Sequence, residues 1–337
     1  MRVSAISLSI ILTTASAAAF NIPTPRSTSI FRTTSNLSTN KSTSLFPQPR
    51  ISKTLTSATT LSPSDGESSD EKRGIFTFKT KYGYLNPFAI WYGFVAILLG
   101  LPWFVALTCC QLMYKVSKKL DTFKRVPTFF SQIWGTWLLR LTGSCPKIEG
   151  KDILKKFYKE NRAAMFVANH NSWMDIPFVG STIGWRNYKL ISKAELGKVP
   201  ILGKSIAVGG HVMVDRTNRR SQIMTLKSGM QWLKDGVHLC TFPEGTRSKT
   251  GKLLPFKNGA FKMAHKVGAP VIPMSIVASG KVHPANWMFP RTASSKYCKV
   301  VIHEPIESSD KTEAELAAMV RKAVISGLPE DQRPDDE

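Results

Sequence analysis

Two side chains that could do acid–base chemistry, His170 and Asp175, stand five residues apart where an apolar run ends. Ala163 to Ala168 is unbroken apolar sequence and reads as a buried strand. Asn169-His170-Asn171-Ser172 follows as a polar turn. Ser172 is placed to cap a helix whose first turn holds Asp175. On one regular helix a five-residue spacing would separate the two side chains by roughly 140° around the axis. Across a strand-to-helix turn the carboxylate can instead fold back onto the imidazole. A histidine held this way is a general base with a fixed tautomer and a stabilised cation. A second polar cluster, Phe242-Pro243-Glu244-Gly245-Thr246-Arg247-Ser248, ends another apolar run, Val237 to Phe242. Two such clusters at strand ends are what an α/β active site requires.

The elements that must carry these clusters are legible as a pattern. Candidate strands are 163–168, 188–192, 211–214, 237–242, 271–276 and 300–303. Helical stretches lie between them. In 221–234 the residues Ile223, Leu226, Met230 and Leu233 share a face, and Gly236 stops the helix. Phe261, Ala264 and Val267 mark another helix, closed by Gly268 and Pro270, and 313–326 reads as a last amphipathic helix. Strands alternating with helices predict an α/β fold with a mostly parallel sheet flanked by helices. The catalytic domain is expected over 145–328, with an acidic, disordered tail at 329–337.

The N-terminal part is read from composition. Residues 1–19 have a short basic start, an apolar middle and small residues at the end, as a secretory signal does. Residues 20–73 are Ser/Thr-rich, with spaced Arg and Lys and no acid before Asp65. That is a disordered, transit-like composition, and the Ala19-Phe20 junction resembles that of bipartite presequences of secondary plastids. A plastid envelope-type membrane is the expected address, with the endoplasmic reticulum membrane as the alternative. Residues 74–144 are expected to be a membrane-associated helical segment. Asn86 to Tyr114 carries no charged side chain, and Pro102 interrupts it. One kinked spanning helix and a pair of shorter helices turning at 99–103 both fit. Val126 to Cys145 adds Trp134, Trp137 and Arg140, a composition suited to a membrane interface.

The formal net charge is +23. Such a charge favours anionic lipids, phosphorylated substrates or nucleic acid. The basic residues are scattered and no nucleic-acid motif occurs, so membrane lipids and phosphate are the expected partners and nucleic acid is not. The five cysteines show no paired or zinc spacing, and no metal site is expected.

Asn169-His170-Asn171-Ser172-Trp173-Met174-Asp175 resembles the NHxxxxD block of the glycerolipid acyltransferases, and the 242–248 cluster resembles their FPEGTRS block. Gly210 to Arg216 and Val271 to Ile276 resemble the two remaining blocks, and Lys193-Ala194-Glu195-Leu196 matches a segment usual between the first two. All stand in family order. FPEGTRS points to the lysophosphatidate acyltransferase branch.

The resemblance implies transfer of an acyl group from acyl carrier protein or coenzyme A to lysophosphatidate, giving phosphatidate, without a cofactor. His170 would be the base and Asp175 its orienting partner. Arg247, Arg216 and Lys193 would meet the acceptor phosphate. Gly245 would let the backbone approach the acceptor, and Glu244 and Thr246 belong to the same acceptor-binding block. The amides at the helix start beside His170 are one possible source of oxyanion donors.

Overall fold

The computed structural model describes residues 76–199 and 201–335. The expected signal (1–19) and the whole of the expected transit segment (20–73) lie outside the described residues. The described chain opens with a short hairpin, β1 (Phe78–Thr80) and β2 (Gly83–Leu85). Helix α1 (Pro87–Val116) follows. Asn86 caps it by accepting from the Ala89 N–H at 2.8 Å, and Pro87 at the first turn has no amide to leave unpaired. The helix runs unbroken through Pro102, so the choice left open by the sequence falls to one 30-residue helix. It is the one helix among the described residues that is long and apolar enough to cross a membrane, with mean hydropathy 2.1.

Its two faces differ. Ala89, Tyr92, Val95, Trp103 and Leu107 are buried against the domain, whereas Ile90, Phe94, Ile97, Leu101 and Phe104 are exposed. Helix α2 (Arg125–Leu141) packs on the buried face. Trp103 and Trp134 stack with centroids 4.5 Å apart, and the Trp103 indole donates to Ser131 Oγ at 3.2 Å.

The remainder is a layered α/β unit. In chain order it comprises β3 (Lys147–Glu149), α3 (Lys151–Lys159), β4 (Met165–Ala168), α4 (Asp175–Ile183), β5 (Tyr188–Lys193), α5 (Leu202–Val208), β6 (Val212–Val214), α6 (Arg219–Lys234), β7 (His238–Thr241), α7 (Gly259–Val267), β8 (Val271–Val277), α8 (Ser279–Val282), β9 (Lys299–Ile302) and α9 (Glu313–Ser326). The seven-stranded sheet has the order β3-β9-β8-β4-β7-β5-β6, and only the β8–β9 pairing is antiparallel.

Central strand β4 is buried on both faces, which is why its sequence is continuous rather than alternating. Phe166 and Ala168 join the core beneath α1 to α4, and Met165 and Val167 join the core beneath α6, α7 and α9. Because β4, β5, β6, β7 and β8 run the same way, the loops after them emerge at one edge of the sheet. Both polar clusters lie in those loops.

Lys189, in β5, ties the start of α2 and the turn before it to the sheet. It is fully buried, and its Nζ donates to Lys124 O (2.9 Å), Thr128 Oγ1 (3.0 Å) and Asn187 Oδ1 (3.0 Å). Burial pulls its ammonium down to about 7, with Asp121 opposing the shift. Between about 7 and the ordinary 10.5 the unfolded chain therefore holds more protons here than the folded one. The site's contribution to stability is lowest below about 7 and rises with pH across that window. Denaturant midpoints at about pH 9 should exceed those at about pH 6.5, and Lys189→Met should shrink the difference.

The expected disordered tail is a correction. Residues Glu330–Gln332 form a short 3-10 turn, and Gln332 is buried. Its carbonyl accepts from the Leu253 N–H at 3.0 Å and its Oε1 from the Ala278 N–H at 2.8 Å. An acidic composition hid one amide side chain able to bond two backbone segments. The strand expected at 211–214 starts at Val212 instead; the half-buried His211 ring turns back, its Nδ1 accepting from the Leu190 N–H at 2.9 Å.

Candidate active site

His170 stands two residues beyond the end of β4, and Phe242 follows directly on β7, the strand paired beside it. Adjacent parallel strands thus bring the two clusters together. The imidazole stacks on the Phe242 ring, with centroids 4.2 Å apart and planes 15° apart. Its Nδ1 lies 2.8 Å from Asp175 Oδ2. Asp175 is fully buried, and the same Oδ2 accepts from the amides of Asn171 (2.7 Å) and Ser172 (2.8 Å). One carboxylate oxygen therefore shapes the turn and orients the base. With Nδ1 committed as donor to the carboxylate, Nε2 carries the lone pair and faces no hydrogen-bond partner among the described residues.

One sequence expectation for this turn needs correcting. Ser172 does not cap α4; its Oγ accepts from the Met174 N–H at 3.2 Å and donates to His283 O at 3.2 Å. The amides of Asn171 and Ser172, ahead of the helix, are engaged by Asp175.

Glu244, expected in acceptor binding, is bonded to backbone groups. It is 2% exposed, with Oε1 accepting from the His170 N–H (2.6 Å) and Oε2 from the Leu254 N–H (2.9 Å). Burial pushes its carboxyl up to about 8, against the pull of those two amides. Both oxygens are occupied by backbone, so the residue clamps the His170 loop to the 242–254 loop. The Ser248 N–H donates to His170 O at 2.9 Å and closes the same seam.

Gly245 has φ of +75°, and a Cβ there would fall 2.9–3.0 Å from the Arg216 guanidinium. The glycine lets Arg216 lie against the loop. Gly245→Ala should cost about 1–2 kcal/mol in a denaturant melt from the left-handed backbone alone, and should push Arg216 aside. Lys193 closes β5, near Arg216 beyond β6. Lys257, not singled out in the sequence, joins them: partial burial lowers its ammonium, and Arg216 and Lys193 lower it further. Its backbone N–H donates to Pro243 O at 3.0 Å. Three cations near these strand ends attract an anion. Arg247 turns elsewhere, its guanidinium 5.1 Å from the Trp173 ring centroid. Thr246 is exposed beside it.

Asn169 is a second residue the sequence reading passed over. It bonds both backbone groups of Ile276, with Oδ1 accepting from N–H at 2.7 Å and Nδ2 donating to O at 2.9 Å. It locks the start of the His170 turn to β8. Its place directly before the histidine was the available signal. No group of three or more His, Cys, Asp or Glu able to hold a metal occurs among the described residues.

A family model described as Acyltransferase matches residues 145–277. The chain is 36% identical over 156 residues to a chloroplastic 1-acyl-sn-glycerol-3-phosphate acyltransferase of Brassica napus, covering 46% of this chain and 44% of that one. It is 31% identical over 239 residues to a 1-acyl-sn-glycerol-3-phosphate acyltransferase of Chlamydomonas reinhardtii, covering 69% and 67%. Among solved structures, the crystal structure of the 1-acyl-sn-glycerophosphate acyltransferase PlsC from Thermotoga maritima is similar, with TM-score 0.53 and 27% identity. That match covers 70% of this chain and 95% of the other. The chain thus spans less than half the length of the Brassica relative and about two thirds of the algal one.

Proposed function

Because the chain belongs to the acyltransferase family of the 1-acyl-sn-glycerol-3-phosphate acyltransferases, we propose that it moves a fatty acyl group from a thioester to the free hydroxyl of lysophosphatidate. The observation that carries the reading is the His170–Asp175 pair at 2.8 Å, set at the same sheet edge as the cations Lys193, Arg216 and Lys257. His170 Nε2 takes the hydroxyl proton as the oxygen attacks the thioester carbonyl. The tetrahedral intermediate collapses, the carbon–sulfur bond breaks, and the proton passes to the thiolate. Atoms balance as ester plus thiol. No protein nucleophile is needed when both substrates are held at once. The cation cluster and Arg247 are the groups that suit the acceptor phosphate. Acyl carrier protein and coenzyme A both remain donors of the right chemistry. The chloroplastic relative supports a plastid address and tilts the choice toward the carrier protein.

The helix α1 supports seating on a membrane, and its packing favours lying within one leaflet. Tyr92 OH donates to Met174 Sδ at 3.3 Å, and Lys204 Nζ donates to Thr108 Oγ1 at 2.6 Å. These contacts lie about 24 Å apart along the helix, most of a hydrocarbon core. A spanning orientation would drag Lys204 and the sheet into hydrocarbon. Cysteines placed at Lys79 and Lys118, in a background lacking the native cysteines, should react with an impermeant maleimide from the same side of sealed vesicles. Labelling from opposite sides would establish a spanning helix.

The functional test is acyl transfer by the full chain in mixed micelles. Lysophosphatidate, glycerol 3-phosphate and lysophosphatidylcholine are each offered with both donors. Phosphatidate should be the dominant product. Preference for another acceptor would overturn the substrate, and binding without turnover would overturn the reaction.

A further inference from the structure

The second oxygen of the orienting carboxylate points to a residue with no assigned role. Asp175 Oδ1 is buried and has no hydrogen-bond partner among the described residues, although Oδ2 has three. Against this turn packs the segment from α8 to His283. The Ser172 hydroxyl donates to His283 O at 3.2 Å, and a Cβ on Gly280 would sit 3.4 Å from Asn171 Cβ. His283 is 7% exposed, and its Nε2 lies 3.2 Å from Trp287 O. Only a protonated nitrogen can bond a carbonyl oxygen, so the proton is on Nε2 and Nδ1 is an acceptor. That Nδ1 is likewise buried and without a partner among the described residues. Asn171 Oδ1 and Ser279 Oγ share this condition.

Two buried acceptors on segments that pack together, a carboxylate oxygen and an imidazole nitrogen, are each costly to leave unpaired, about 1–3 kcal/mol. They cannot bond one another, since neither carries a hydrogen. One water molecule has two hydrogens and can donate to both, and a buried water making two to four such bonds is an ordinary part of a folded core.

We propose that His283 is a positioning residue for the proposed acyl transfer, holding Asp175 Oδ1 through a shared buried water so that Oδ2 stays fixed on His170 Nδ1. Burial and Arg247 lower the His283 imidazolium, while Trp287 and Asp175 pull the other way; the net direction is down, as the neutral acceptor form requires. The inference rests on His170 acting as the base. It adds a third layer to the pair: imidazole, carboxylate, and a water anchored by a second imidazole.

Two near-isosteric substitutions separate this role from a merely structural one. His283→Gln keeps a donor near the Nε2 position for Trp287 O and loses the acceptor at Nδ1. His283→Asn keeps an acceptor at the Nδ1 position and loses the Trp287 bond. Each is made in the full chain, with its thermal midpoint recorded. The expected result is a kcat about tenfold lower for His283→Gln, the rate equivalent of one hydrogen bond, with acceptor KM changed less than about twofold and His283→Asn close to the parent. Proton NMR of the chain with 15N-labelled histidine gives a readout independent of turnover. The downfield Nδ1 proton of His170 should persist in the parent and in His283→Asn. In His283→Gln it should be lost to solvent exchange. The reverse order, with Asn impaired and Gln normal, would make His283 a strut for Trp287 and overturn the proposal. Equal behaviour of both variants, or kcat and KM moving together, would also overturn it. Should the parent transfer no acyl group, the reaction reading falls, and the His170 resonance still decides the positioning claim.

Discussion

Replacing His170 with alanine should lower kcat by about 10²–10⁴-fold while leaving the folded chain intact. The imidazole stacks on Phe242 and is bonded to Asp175, but its main chain is held independently by Glu244 and Ser248. Removing the ring therefore removes the base without releasing the loop. Asp175→Asn should also fall by about 10²–10⁴-fold, for a different reason. An amide can still accept from Asn171 and Ser172 N–H through its oxygen, so the turn survives. That same oxygen can still accept from His170 Nδ1–H, but without its charge it no longer stabilises the imidazolium. Steady-state kcat beside a thermal melt separates the two effects. A rate loss below about threefold in His170→Ala would remove the residue from the base role.

Glu244→Ala should act on the fold as strongly as on the rate. Its carboxylate satisfies two buried amides, those of His170 and Leu254, and truncation leaves both donors unpaired. At about 1–3 kcal/mol for each stranded group, the loss should total about 2–6 kcal/mol. Because one of those amides belongs to the base itself, kcat should fall in parallel. Glu244→Gln is the informative companion. It keeps one accepting oxygen and presents an NH2 to the other amide, so it should recover part of the stability but not all. A Glu244→Ala chain as stable as the parent, with only acceptor KM raised, would return this residue to the acceptor-binding role that the FPEGTRS resemblance implied.

The sheet and its catalytic edge were legible in the sequence because their signals are local. The mostly apolar runs 163–168, 237–242 and 271–276 became β4, β7 and β8, the three central strands, since burial on both faces favours apolar residues. The His170–Asp175 pairing followed from a spacing that makes sense only across a turn. What stayed hidden depends on partners distant in the chain. Strand β3 offers only Lys147–Glu149 and pairs with β9, about 150 residues away. Lys257 looks like any surface lysine until the loops after β5 and β6 set Lys193 and Arg216 beside it. The backbone partners of Glu244, at His170 and Leu254, are invisible to side-chain reasoning. Gln332 was hidden by its acidic neighbours for the same reason.

The account turns on direct transfer between two bound substrates, with His170 as the base. Release of free thiol from an acyl thioester, followed continuously with the full chain in micelles, tests this most directly. Without acceptor, thiol should appear no faster than slow hydrolysis. On addition of lysophosphatidate, thiol and phosphatidate should appear together, one for one, and His170→Ala should abolish both. A burst of thiol stoichiometric with protein before any acceptor is added would reveal an acyl-enzyme and contradict the mechanism. Absence of acceptor-dependent thiol with either donor would contradict the function itself.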